Sequence, residues 1–99
     1  MAEHRHVLTE VGAMVHPSRE DDFVAGFRRL LAGPTPDGLL RSELLRTGGE
    51  WRIQTLWRDR EALDAMRAGS EEPAAPALFR SVGSQPELTV LEVVVTTAG

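Results

Sequence analysis

The segment Thr55-Leu56-Trp57-Arg58-Asp59-Arg60-Glu61-Ala62-Leu63 constrains the fold more than any other stretch of this 99-residue chain. It reads as a strand that ends on a tryptophan and turns at once into a helix. Asp59 is the natural cap, because a short carboxylate can accept from the first N–H groups that a helix leaves unpaired. A tryptophan at such a junction can roof a pocket under the helix, so strand, turn and pocket are tied together by one local sequence.

The flanking segments place this junction in a topology. His6 to His16 alternates and is rich in β-branched residues, the pattern of a strand. Val7, Thr9, Val11, Ala13 and Val15 form its cleaner apolar parity and are assigned to the helix side. Pro17-Ser18-Arg19-Glu20-Asp21 announces a helix, with Ser18 as N-cap and Glu20, Asp21 and Asp22 at the positive end of its dipole. Phe23, Phe27, Leu30 and Leu31 then make one helical stripe until Gly33-Pro34 ends it. After the turn Thr35-Pro36-Asp37-Gly38, a second strand runs from Leu39 to Arg46. Thr47-Gly48-Gly49-Glu50 fits a hairpin, and Trp51 to Arg58 is a third strand with Trp51, Ile53, Thr55 and Trp57 on one face. The helix capped by Asp59 carries Leu63 and Met66 and breaks at Gly69. Ser70 to Ala75 reads as a loop and Pro76 to Val82 as one more helical turn. Gly83-Ser84-Gln85-Pro86 turns into a fourth strand, Leu88 to Val95, and Ala98-Gly99 reads as a tail.

The order β-α-β-β-α-β is the split arrangement of a ferredoxin-like α+β sandwich. It accounts for the whole of 1–99 as one domain with its core in 6–96. Two helices cover one face of four strands. The other face is expected to carry Leu8, Met14, Leu56, Val90 and Val94, a surface that a second copy packing sheet on sheet would cover. A chain of this length buries only roughly 60–65% of its unfolded surface, and a ligand cavity would thin its core further, which also favours a homodimer.

Composition removes whole classes of chemistry. The formal charge is −4 with both signs mixed, and no basic patch suits nucleic acid or a membrane surface. The sequence contains no Cys, Lys, Tyr or Asn, which excludes a thiolate nucleophile, a Schiff-base lysine and a tyrosine acid. His4, His6 and His16 lack metal-ligand spacing, so no metal is expected. The N-terminal residues lack the apolar run of a signal peptide and no segment reaches membrane-spanning length, so the expected location is cytoplasmic.

Three stretches resemble the antibiotic biosynthesis monooxygenase superfamily, whose members form dimeric α+β barrels. They are the approach to the first helix, Val15 to Phe23, the strand Gly38 to Arg46, and Leu56 to Leu63, within a resemblance that spans His6 to Val95. The resemblance implies a pocket between sheet and helices lined by the tryptophan matching Trp57. It also implies a cofactor-independent monooxygenase acting on a planar aromatic, polyketide-like molecule, with no cofactor bound. Two departures are visible. The family's polyketide oxygenases tend to place an Asn four residues before that tryptophan, where Ile53 stands here. Haem-degrading members use an Asn on the first strand, here Val11, and a His on the second helical segment, whereas every histidine here precedes residue 17.

The candidate substrate-binding residues are therefore Trp57, Val11, Ile53, Phe27, Met66 and Phe79, each of which could equally be ordinary core. Trp51 lies six residues from Trp57, roughly 20 Å along a strand, too far to clamp the same ring, and reads as a core or interface anchor. Candidate bases are His16, near a pocket mouth, and Glu10, placed with Glu92 on the sheet face away from the helices. An ion pair of Glu10 with Arg52 or Arg58 is the alternative role. Arg41, Glu43 and Arg46 read as edge-strand charges. Residues 70–76 could close over the pocket. A small-molecule-binding or structural dimer of the same fold without catalysis is the second reading.

Overall fold

The computed structural model describes residues 5–97; His4 and the tail Ala98-Gly99 lie outside them. Four strands, β1 (Val7–Met14), β2 (Leu39–Thr47), β3 (Glu50–Trp57) and β4 (Glu87–Glu92), form an antiparallel sheet in the order β2-β3-β1-β4. Helices α1 (Glu20–Ala32), α2 (Arg60–Ala68) and α3 (Ala74–Ser81) cover one face. This is the ferredoxin-like α+β arrangement expected. Within one chain the sheet stays open, with β2 and β4 as its edges. No described helix is long and apolar enough to cross a membrane.

The register shows why each strand presents the face it does. Val7, Thr9 and Val11 pair with Trp57, Thr55 and Ile53, and all six are buried on the helix side. On β2 a bulge between Leu39 and Arg41 inserts one residue and re-aims the side chains beyond it. Leu39 and Ser42 therefore both fall on the helix side, opposite Trp57 and Thr55. The hairpin closes through Gly48-Gly49, where Gly48 takes φ +59°.

Gly38 is a position where only glycine fits. Its φ is +84°, and a Cβ there would lie 2.4 Å from the Ala62 Cβ. Its carbonyl accepts from Arg58 N–H at 2.7 Å, so the start of β2 and the first turn of α2 are in direct contact. Asp59 caps α2 as expected, its Oδ1 accepting from Ala62 N–H at 2.8 Å.

Four local expectations are corrected. Ser18 is not the N-cap of α1. Pro17–Arg19 forms a 3-10 turn capped by His16, whose Nδ1 accepts from Ser18 N–H at 3.1 Å, and α1 comes next with no side-chain cap. Proline suits the first position of that turn because its missing N–H would be unpaired there anyway. The third helix begins at Ala74, not Pro76, which shortens the expected loop; Pro76 is tolerated because first-turn N–H groups need no helical partner. The strand β4 ends at Glu92, and Val94 and Val95 lie beyond it, exposed. Finally, the parity of β4 is inverted. Thr9 pairs with Val90 and Val7 with Glu92, so Leu88, Val90 and Glu92 face the helix side, and Leu91 faces outward with Leu8 and Leu56. Both parities of Leu88 to Val95 are apolar, so pattern alone could not set this register.

Two buried clusters fill the helix side. Phe23, Phe27, Phe79, Val82, Val11, Val15, Trp51 and Ile53 form the larger. Val7, Trp57, Ala62 and Leu63 form the smaller, at the α2 end.

Candidate functional site

A cleft of about 810 Å³ opens between the sheet and the helices. Its floor is the helix side of the sheet, with Thr9, Val11, Leu39, Ser42, Ile53, Thr55 and Trp57. Phe27, Leu30 and Leu31 of α1 form one wall, and Leu63 and Met66 of α2 form another. This explains the α1 stripe. Phe23 and Phe27 are buried, whereas Leu30 and Leu31 are 37% and 47% exposed because they face the cleft region and not solid core. Gly69, Ser70 and Pro73 to Pro76 border the cleft.

Of the six residues proposed to bind substrate, Trp57, Val11, Ile53, Phe27 and Met66 line this cleft. Phe79 does not. It is fully buried against Phe23, ring centroids 4.6 Å apart, and belongs to the core. Trp51 is likewise a core anchor, edge-on to Phe23 at 5.7 Å, donating from Nε1 to Glu20 at 3.1 Å and stacked under the Arg46 guanidinium at 5.1 Å. Arg46 is thus a packing residue on the helix side, while Arg41 and Glu43 pair with each other on the outer face of the edge.

Neither candidate base reaches the cleft. His16 is exposed at the end of β1, held by Ser18. Glu10 sits on the outer sheet face, accepting from Arg52 and from Gln54, each at 2.8 Å. Hydrogen bonding to Glu50, then the charges of Glu50 and Glu10, raise the Arg52 guanidinium above its ordinary value. The alternative reading of Glu10, an ion pair with Arg52, is what the geometry gives. Glu92 is elsewhere, paired with Arg5 at 2.8 Å. His6 lies against the Arg58 carbonyl at 2.8 Å, and the described residues contain no group of three or more His, Asp or Glu able to hold a metal.

Polar groups at the cleft are of two kinds. Asp37, Arg58, Glu61 and Arg67 stand at its margin; Arg58 is tied to Asp59 at 3.3 Å and to Asp37 at 3.7 Å. On the floor are only neutral hydrogen-bonding groups. The buried Trp57 Nε1–H donates to Thr9 Oγ1 at 3.0 Å, and Ser42 Oγ and Thr55 Oγ1 are 2.9 Å apart.

The profile of the antibiotic biosynthesis monooxygenase family matches residues 7–73. The chain belongs to the antibiotic biosynthesis monooxygenase family. Solved structures agree on the fold. SnoaB from Streptomyces nogalater, a cofactor-independent oxygenase solved in a mutant form, superposes with a TM-score of 0.73 at 23% identity, covering 95% of this chain and 98% of that one. Rv0793 from Mycobacterium tuberculosis gives 0.70 at 22%, covering 94% and 99%. The haem-degrading protein Rv3592 from the same organism gives 0.66 at 24%, covering 98% and 100%. No curated protein sequence matches.

In this member of the monooxygenase family the position of Ile53 is filled by a fully apolar floor residue, 2% exposed. The floor hydroxyls Thr9, Ser42 and Thr55 were not singled out from the sequence. Thr9 and Thr55 did carry a signal, since each interrupts an apolar parity between Val7 and Val11 or between Ile53 and Trp57. Ser42 carried none, because the bulge after Leu39 decides its face.

Proposed function

We propose that this protein is a cofactor-independent monooxygenase acting on a planar aromatic small molecule, and that it works as a homodimer joined through the outer faces of its sheets. The observation that carries the first part is the cleft itself. At about 810 Å³ it falls within the range of small-molecule sites, roughly 300–1,000 Å³, and it is walled by Phe27, Leu63 and Met66 over a floor that includes Trp57. A sheet floor under a helical roof suits a flat ligand, and Trp57 offers an aromatic face beside it.

The chemistry asked of such a site is modest. A methylene set between aryl rings and conjugated to a ring carbonyl enolises without a strong base. Its enolate gives one electron to dioxygen, the radical pair combines into a C–O–O⁻ bond, and the protonated peroxide loses water. The overall change is CH₂ + O₂ → C=O + H₂O, with the substrate supplying the electrons. The chain's part is to hold the ring, favour the enolate and keep bulk water from the radical and the peroxide. The second reading, a binding dimer without catalysis, draws on one observation: neither histidine nor carboxylate stands on the cleft floor.

Oxygen uptake with anthrone and no added cofactor separates the two. The expected result is a wild-type rate at least about tenfold above the spontaneous one, well below the ceiling that positioning can supply. Trp57→Ala should fall to the spontaneous rate, with Trp57→Phe retaining part of it. Wild-type uptake at the spontaneous rate, with anthrone still bound, would leave only the binding reading.

A further inference from the structure

The three floor hydroxyls stand in one straight row across three strands. Thr9 pairs with Thr55, and Thr55 with Ser42. Opposed residues on neighbouring antiparallel strands are about 4.5–5.5 Å apart at Cα, so the row is continuous. It is bounded on one side by Val7, Trp57 and Leu39 and on the other by Val11, Ile53 and Leu44. All three residues line the cleft, and Thr9 and Thr55 are only 8% and 7% exposed. This is a polar stripe inside an otherwise apolar floor.

Its polarity is set by the protein. Three hydroxyls carry three hydrogens and accept through two lone pairs each. Trp57 Nε1–H can only donate, so it occupies a lone pair of Thr9, and the Thr9 hydrogen has no acceptor among the described residues. Ser42 and Thr55 share one hydrogen between them, which leaves the other unused. Two hydrogens therefore lack acceptors among the described residues, and both belong to groups that line the cleft. Burying donors in this way costs free energy unless something accepts from them.

We infer that the Thr9–Thr55–Ser42 row is an oxygen-binding subsite, and that the ligand is an oxygenated aromatic, a phenol or cyclic aryl ketone, whose oxygen accepts from this row in its anionic form. The inference rests on the cleft being a ligand site, as proposed above. It adds which edge of the ring system faces the sheet. Donors aimed at the oxygen stabilise an enolate or phenolate more than the neutral form, so the row supplies the help to ionisation that the floor's lack of a base would otherwise deny. The bulge after Leu39 is then part of the site, since it turns Ser42 inward to complete the row.

The test uses 1-naphthol and naphthalene, which share one ring system and differ by one oxygen, in binding titrations with the intact protein. Wild type should prefer 1-naphthol by about tenfold or more, the worth of one to two hydrogen bonds. The apparent pKa of bound 1-naphthol, read from naphtholate absorption, should drop. The double variant Ser42→Ala/Thr55→Val removes both partners of one bond at nearly constant shape. It should bring the preference to within about threefold and move the naphthol pKa back up, with naphthalene binding unchanged. Thr9→Ser, which keeps the hydroxyl, should retain the wild-type preference. Equal wild-type affinity for the two probes would overturn the subsite while leaving the cleft as a binding site. So would a preference that survives in the double variant. Binding of neither probe would remove the cleft reading and the subsite with it.

Discussion

Phe23→Ala is expected to destabilise the protein by about 3–5 kcal/mol, the usual cost of removing a fully buried phenylalanine. Phe23 is 0% exposed and sits between two aromatic partners, Trp51 edge-on at 5.7 Å and Phe79 at 4.6 Å. Each such pair adds about 0.5–1.5 kcal/mol beyond burial. A domain of this size has only about 5–15 kcal/mol in total, so the variant should unfold at a much lower urea midpoint with an unchanged slope. The same truncation at Phe27 should cost less, because its neighbours border the cleft and part of its surface already faces open space. Equal midpoint shifts at the two positions would contradict the division between packed core and cleft.

Leu91→Asp is expected to convert the proposed dimer into a monomer. Leu56, Leu8 and Leu91 form a leucine row on the outer face of the sheet, with Leu45 on the same face. Leu91 and Leu45 are 42% and 40% exposed in the single chain. A new carboxylate at Leu91 changes the isolated chain little, within about 0.5 kcal/mol for a surface site. Buried between two sheets it would be an unpaired charge, costing several kcal/mol. Sedimentation at micromolar concentration should give twice the monomer mass for wild type and the monomer mass for Leu91→Asp, with matching circular dichroism. A wild-type monomer would end the sheet-on-sheet proposal. Glu10 and Glu50 on that face share Arg52, so any interface there has to accommodate one net negative charge.

The fold was legible because its signals were local and agreed with one another. The Asp59 cap, the Gly33-Pro34 stop, the Gly48-Gly49 hairpin and the odd parity of β3 each arise from a few neighbouring residues. The features that sequence could not reach depended on pairing between distant strands. The parity of Leu88 to Val95 is set by the Thr9–Val90 register, and both of its faces are apolar. The inward turn of Ser42 is set by a bulge with no sequence mark of its own. Phe79 and Phe27 look alike in sequence and share the larger buried cluster, and only the tertiary packing leaves Phe27 also lining the cleft while Phe79 is sealed against Phe23. Of the two candidate bases, Glu10 stands on the outer face where its parity put it, whereas the surface position of His16 follows from the 3-10 turn that it caps.

The split of the interior into two clusters on either side of the cleft makes folding and occupancy one equilibrium. A ligand that fills the gap adds burial the empty chain lacks and binds only the folded state. At a concentration one hundred times its dissociation constant such a ligand stabilises by about 2.7 kcal/mol. In a domain this small each kilocalorie raises the melting temperature by roughly 4–8 °C, so a true ligand should lift it by more than about 10 °C. The melting curve of this protein can therefore rank ligand candidates before any reaction is assayed.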